Sequence, residues 1–235
     1  MKKTLCVLLC VVVVCLSACM QQGQNATTQE PTTSTMLHRE YALILDNIVK
    51  AYPWNDGDLT IVPENPELSY MYSRSSELSD VGFTLIDLDK NGQEELIIAD
   101  INKFVYDVYT ITNGKASHLF DSGERYCYIL RENGFIENSW SGSAATSGHD
   151  FYKLNDGKLD FIERITLDAY HALDVGVIKE LTEANENNTF FISPTDQFED
   201  YKLATSDEAI KKIESYQNAN KELEIEYTLL SDYIK

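Results

Sequence analysis

Residues 82–100, GFTLIDLDKNGQEELIIAD, constrain the fold of this chain more than any other stretch. Two apolar runs enclose a loop of oxygen-bearing side chains. In the first run Phe83 and Leu85 fall on one alternating face, and Ile86 and Leu88 on the other; residues 96–99 are equally apolar. Strands that are apolar on both faces need protein on both sides, which predicts a hairpin in the middle of a sheet. Between the runs, Asp87, Asp89, Asn91 and Glu95 stand at odd-numbered positions, with Gln93 completing the series and Gly92 in their midst. Calcium is a hard cation that takes about six to eight oxygen ligands in flexible geometry, and this loop offers carboxylates and amide oxygens. Gly92 lets the backbone turn sharply beneath an ion. All of these ligands lie on one local loop with no nucleophile beside them, which predicts a structural ion. The same residue types also make turns, and Asn91-Gly92 can close a hairpin without metal.

The rest of the chain supplies the partners for this hairpin. Residues 37–51 read as a helix, with Tyr41, Ile44, Leu45 and Ile48 at helical spacing and Pro53 beyond them. A turn-rich loop containing Trp54 follows, then a short strand at 59–62 and a second short helix within 68–78. Downstream, β-rich runs are separated by Asn113-Gly114, Asn133-Gly134 and Asn155-Asp156-Gly157, each a hairpin signal. Residues 141–148, SGSAATSG, read as a small-residue loop. Near the C-terminus, Ser193-Pro194 favours a short helix start. Residues 206–217 form a clearer helix with Ser206 as its cap, and residues 224–230 alternate as a last strand. The expected fold class is α+β: an antiparallel β-sheet meander with an N-terminal and a C-terminal helix packed on it. One extracytoplasmic domain is expected over residues 37–235.

Before that domain, Lys2 and Lys3 precede a continuous apolar run at 5–16, too short to span a bilayer comfortably. The run ends in Leu16-Ser17-Ala18-Cys19, which resembles the bacterial lipobox at all four positions. The resemblance implies a lipoprotein signal peptide over residues 1–18, cleavage before Cys19, and a diacylglycerol on its thiol. Residues 20–35, polar and free of aromatics, read as a flexible tether, so residues 19–36 join the lipid to the domain. Lipidation places the protein at the extracytoplasmic face of the cell membrane.

The opening of the central loop matches the EF-hand pattern Asp-x-Asp-x-Asn-Gly. Position twelve of that pattern needs a bidentate Glu, however, and this chain has Ile98 followed by strand-like sequence. The loop is more similar to the strand–loop–strand calcium loops of FG-GAP repeats, Asp-x-Asp-x-Asp-Gly-x-x-Asp. Asp87, Asp89, Asn91, Gly92 and Glu95 fall on that pattern, with Asn91 replacing an acid and Glu95 a shorter one. The motif occurs once, which argues against a propeller. With its lipobox and Tyr-rich meander, the chain also resembles uncharacterised lipoproteins of Gram-positive bacteria, a likeness that supplies no activity.

Charge bounds the partners. The chain has 38 acidic and 19 basic residues, a net charge of −19, and losing Lys2 and Lys3 takes it to about −21. Such a surface repels nucleic acid and favours cations or basic partners. The four histidines form no His-x-x-x-His pair and join no Cys pair, so zinc has no local support. Cys127, in the alternating run RYCYIL, reads as a structural thiol. His149-Asp150 follows several serines, yet no Gly-x-Ser-x-Gly elbow is present. The leading expectation is a non-enzymatic binding or accessory domain for an extracellular ligand or envelope protein. The alternative is a cell-envelope or glycan hydrolase using carboxylates. A deep pocket with two close carboxylates, or His149 beside a serine, would favour the enzyme. An exposed aromatic patch would favour binding.

Overall fold

The computed structural model describes residues 37–52, 68–174, 176, 190–196 and 200–234. The leader, Cys19 and the tether lie outside these residues, as do Trp54, the strand expected at 59–62 and the polar stretch 180–188. Residues Leu37–Lys235 belong to one compact unit.

Strands dominate this unit, and they form two sheets. The first has the order β11-β1-β2-β3-β4. Here β1 is Val81–Ile86, β2 Glu95–Asp100, β3 Val105–Thr112, β4 Lys115–Asp121 and β11 Thr228–Leu229. The second has the order β10-β9-β8-β7-β6-β5. It runs through β5 Tyr126–Arg131, β6 Phe135–Ser143, β7 Thr146–Asn155, β8 Lys158–Asp168, β9 Phe190–Ser193 and β10 Lys202–Ala204. All strand pairings among the described residues are antiparallel. The expectation of one helix-covered α+β meander is therefore corrected to a mostly β protein, with two sheets and five α-helices among the described residues. Gly-containing turns join β1 to β2, β3 to β4, β5 to β6 and β7 to β8, whereas β2–β3 turns through residues 101–104 and β6–β7 through Ala144-Ala145 without a glycine. Such turns carry no information about where a meander splits. The split falls at residues 122–125. There the Ser122 N–H returns to Tyr106 O at 2.8 Å and the Ser122 hydroxyl accepts from Tyr128 N at 3.0 Å, tying the crossing to both sheets.

Alternation builds the layers. In β2, Leu96 and Ile98 face α1 (Arg39–Ala51) and α2 (Ser69–Arg74), packing with Tyr41, Leu45, Ile48 and Met71. Ile97 points the other way and packs with Val108 and Phe120 against Leu130, Ile136 and Leu154 of the second sheet. All six residues of β2 are buried, as a strand covered on both faces requires. The far face of the second sheet presents Phe135, Phe151 and Ile165 to Ala209, Ile213 and Tyr216 of α4 (Ser206–Ala219). The packing order is thus helix, sheet, sheet, helix. Tyr106 sits at a bulge, since Ile98 pairs with Asp107 while Ala99 pairs with Val105. The extra residue turns Tyr106 toward the helical layer.

Local signals placed several elements one step off. The α4 cap is Thr205, whose side chain accepts from Glu208 N while Glu208 bonds back to Thr205 N, a capping box. The expected 141–148 loop is instead the tip of the β6–β7 hairpin, with strand up to Ser143 and again from Thr146. The last strand shrinks to Thr228–Leu229, followed by α5 (Leu230–Tyr233). The short α3 (Ala169–Asp174) and β10 had no clear sequence signal.

Candidate metal centre

The β1–β2 hairpin places the central loop at one end of the first sheet. Ile86 pairs with Glu95, so residues 87–94 bulge out beyond the last rung of the ladder. The loop is held by its own acids. Asp87 Oδ1 accepts from Asn91 N at 3.0 Å and Asp87 Oδ2 from Gly92 N at 2.8 Å. Asp89 Oδ1 accepts from Asn91 N at 3.2 Å. Gly92 has φ +91°, a backbone conformation that only glycine adopts without strain. The α1 helix anchors the exit of the loop, where the Tyr41 hydroxyl donates to Glu94 O at 2.8 Å.

Glu95 is fully buried. Its Oε2 accepts from Leu88 N at 3.0 Å, and its Oε1 from the Thr110 hydroxyl of β3 at 3.0 Å. Its carboxyl is pushed up to about 7: burial raises it most, the two donors counter part of that, and the nearby negative charges of Asp89 and Asp87 add to the rise. Asp87, Asp89 and Glu95 each offer an oxygen within 4.8 Å of the others. Two oxygens on one calcium ion, each at roughly 2.4 Å, stand at most about that far apart. The three carboxylates thus form a group that could hold a metal ion. None of them belongs to an ion pair among the described residues. The nearest cationic side chain in the loop, Lys90, instead reaches Asn133 Oδ1 at 3.2 Å.

The remaining predicted ligands lie on the same loop in other roles. Asn91 donates its amide to Asp89 Oδ2 at 3.2 Å, and its Oδ1 accepts from Gln93 N at 2.7 Å. Gln93 turns its amide nitrogen to Glu94 O at 3.0 Å. The loop also rests against the β5–β6 turn of the other sheet. A Cβ added at Gly134 would stand 3.1 Å from Leu88 O and 3.2 Å from Asp89 Cα. Lys153 donates to Asn133 O from the same side. The carboxylates therefore sit where the two sheets meet.

The second sheet contains buried polar groups that sequence reading missed. Glu137 is fully buried and receives Arg131 Nε at 2.8 Å, His149 Nδ1 at 2.7 Å and Gln217 Nε2 at 3.0 Å. Burial pushes the Glu137 carboxyl up, and these partners together outweigh it, leaving it below the usual carboxylate range. Asp150 accepts from Arg164 Nε and Nη2, each at 2.7 Å, while Nη1 donates to Asp196 O at 3.1 Å. His149 stands directly opposite Ser139 in the β6–β7 register, the neighbour relation that counts toward the hydrolase alternative, although no hydrogen bond joins the two side chains. The bonded partner of the His149 ring is Glu137, and the Ser139 hydroxyl makes no hydrogen bond among the described residues. Residues 141–148 carry the local signature of a loop, and only the β6–β7 register running through them brings Glu137, Ser139 and His149 together. Cys127, on β5, is half-buried, and burial, with the nearby Glu137 charge, pushes its thiol up.

Comparison with family models, curated proteins and solved structures finds no match to this chain.

Proposed function

We propose that this chain is a membrane-anchored extracytoplasmic lipoprotein whose folded domain binds an extracellular ligand or envelope partner, without catalysis, and is stabilised by one calcium ion. The observation that carries the reading is the buried Glu95 carboxylate grouped with Asp87 and Asp89 and left without a cationic side chain. Grouped carboxylates repel one another, and burying one uncompensated is costly. A bound cation removes both penalties. Oxygen-only donors on a flexible loop favour calcium over zinc, which takes His and Cys, and over magnesium, which demands near-octahedral geometry and keeps its waters. Asp87, Asp89 and Glu95 would hold the ion, with oxygens of Asn91 and Gln93 completing the set from the same loop. The ion would neutralise the hairpin end at the junction of the sheets. Cys19 would carry the lipid, and the strongly acidic surface argues against nucleic acid as a partner. Among the described residues no helix is long and apolar enough to cross a membrane, so attachment in this reading rests on Cys19 alone.

Thermal unfolding of the full-length protein in calcium and in chelator tests the metal. Saturating calcium raises the Tm of the wild type and not that of Asp87→Ala/Asp89→Ala; an unchanged wild-type Tm sinks the idea. Cys19→Ala tests the anchor, because it should release the protein from the membrane fraction. Retention there contradicts lipidation.

A further inference from the structure

A cleft of about 660 Å³ is lined by α2, by β5 to β9 of the second sheet and by Ile213 of α4. Its size falls within the range of small-molecule sites, roughly 300 to 1,000 Å³. Its charge is opposite to that of the protein. Of the five arginines in the chain, Arg131 and Arg164 pair with buried acids, whereas Arg74 and Arg125 line this cleft. Neither of the latter has a carboxylate partner among the described residues, although acids outnumber bases twofold. Arg74 donates to the Tyr70 hydroxyl at 3.1 Å and lies over the Phe104 ring at 5.3 Å. Arg125 reaches Gly142 O at 3.4 Å. Among the described lining residues Glu124 is the sole acid.

The cleft also has two fixed aromatic rings. Tyr126 and Trp140 are direct cross-strand partners. Each lies against a glycine. A Cβ at Gly123 would come within 2.5 Å of the Tyr126 ring, and one at Gly148 within 2.8 Å of Trp140. Their polar ends are tied as well, Trp140 Nε1 to Asp150 Oδ1 at 3.1 Å and the Tyr126 hydroxyl to Asp121 Oδ2 at 3.1 Å. Rings pinned in this way lose little freedom when a ligand arrives. The Ser139 and Ser147 hydroxyls line the same cleft with no hydrogen-bond partner among the described residues. His149, its Nδ1 engaged by Glu137, offers its other nitrogen.

We infer that this cleft binds an acidic saccharide, a short sugar bearing a carboxylate or a phosphate. Guanidiniums left unpaired match such an oxyanion in bidentate fashion. The exposed Tyr126 ring accepts the CH-rich face of a sugar ring, while Trp140, with Gly148 against it and the Arg164 guanidinium 5.7 Å from its ring centre, serves as a fixed wall. The free serine hydroxyls match those of the sugar. The field of a chain at −19 excludes densely charged polyanions such as nucleic acid, while a ligand with one or two charges can enter a locally cationic cleft. The inference rests on the reading of the domain as a binding module and names the ligand class of that module.

Calorimetry on the full-length protein tests it with four probes: trigalacturonate, maltotriose 6-phosphate, uncharged maltotriose and inorganic phosphate. At least one charged trimer should bind, at least about tenfold more tightly than maltotriose or inorganic phosphate, and whichever binds separates the carboxylate from the phosphate source. Arg74→Gln/Arg125→Gln, both exposed positions, should weaken that binding by about tenfold or more with an unchanged Tm. Three results overturn the inference: neither charged trimer binds at about 5 mM, maltotriose or inorganic phosphate binds equally well, or the double variant keeps full affinity. Shortened products after incubation would instead overturn the non-enzymatic reading and leave the cleft assignment standing. A Tm indifferent to calcium would overturn only the metal.

Discussion

Glu95 in the first sheet and Glu137 in the second are both 0% exposed, yet their environments resolve the buried acid in opposite ways. Around Glu137 the protein supplies its own countercharge. Arg131, His149 and Gln217 converge on it, and its carboxyl sits below the ordinary range despite burial. Around Glu95 the fold supplies two neutral donors, Leu88 N–H and the Thr110 hydroxyl, and two more acids. Its carboxyl is driven up to about 7, first by burial. Depth alone therefore does not settle how a buried carboxylate behaves; what surrounds it does. The second sheet is electrostatically closed, and the first is left open to a cation from outside.

The largest effect should come from breaking the closed side. Arg131→Met leaves Glu137 without its main charge partner, and urea denaturation should show a loss of about 3–5 kcal/mol. Calcium should not restore that loss, because the site lies in the other sheet. Next comes the open side. At about a hundredfold excess over Kd, calcium should stabilise the wild type by about 2.7 kcal/mol, seen in a calorimetric scan as a higher Tm. Glu95→Gln should abolish this gain while leaving the metal-free protein no less stable than wild type, since it removes a buried charge. If calcium stabilises Glu95→Gln as much as wild type, Glu95 is not a ligand.

Thr110→Val should cost about 1–3 kcal/mol in chelator, because it leaves a buried carboxylate oxygen without its donor. Chemical denaturation with and without calcium would show whether the ion compensates. Acid separates the two sides as well. The Glu137 carboxyl is depressed in the fold, so its contribution is present above the unfolded value of roughly 4.3 and is lost as pH falls through the folded value. Denaturation midpoints from pH 6 to pH 3 should fall less steeply for Glu137→Gln than for wild type, and parallel slopes would contradict the assignment. The smallest effect belongs to Lys90→Ala, whose exposed bond to Asn133 should be worth less than about 0.5 kcal/mol. A larger change would mean that the loop depends on the turn beneath it more than on its own acids.

The sequence by itself determined what acts over short distances. Asp87, Asp89, Asn91 and Gly92 form their loop from hydrogen bonds spanning two to five residues, and any chain with that order would turn there. The apolar double face of β2 was equally legible, because covering both sides is a property of the pattern itself. Tertiary structure alone decided where the meander splits, since a Gly turn names the next strand and never the facing sheet. It also decided that Glu95 meets Thr110 fifteen residues away, that Glu137 meets Gln217 eighty residues away, and that Arg74 and Arg125 share a cleft. Electrostatic fate depends on neighbours brought together through space by packing, and no local spacing encodes them.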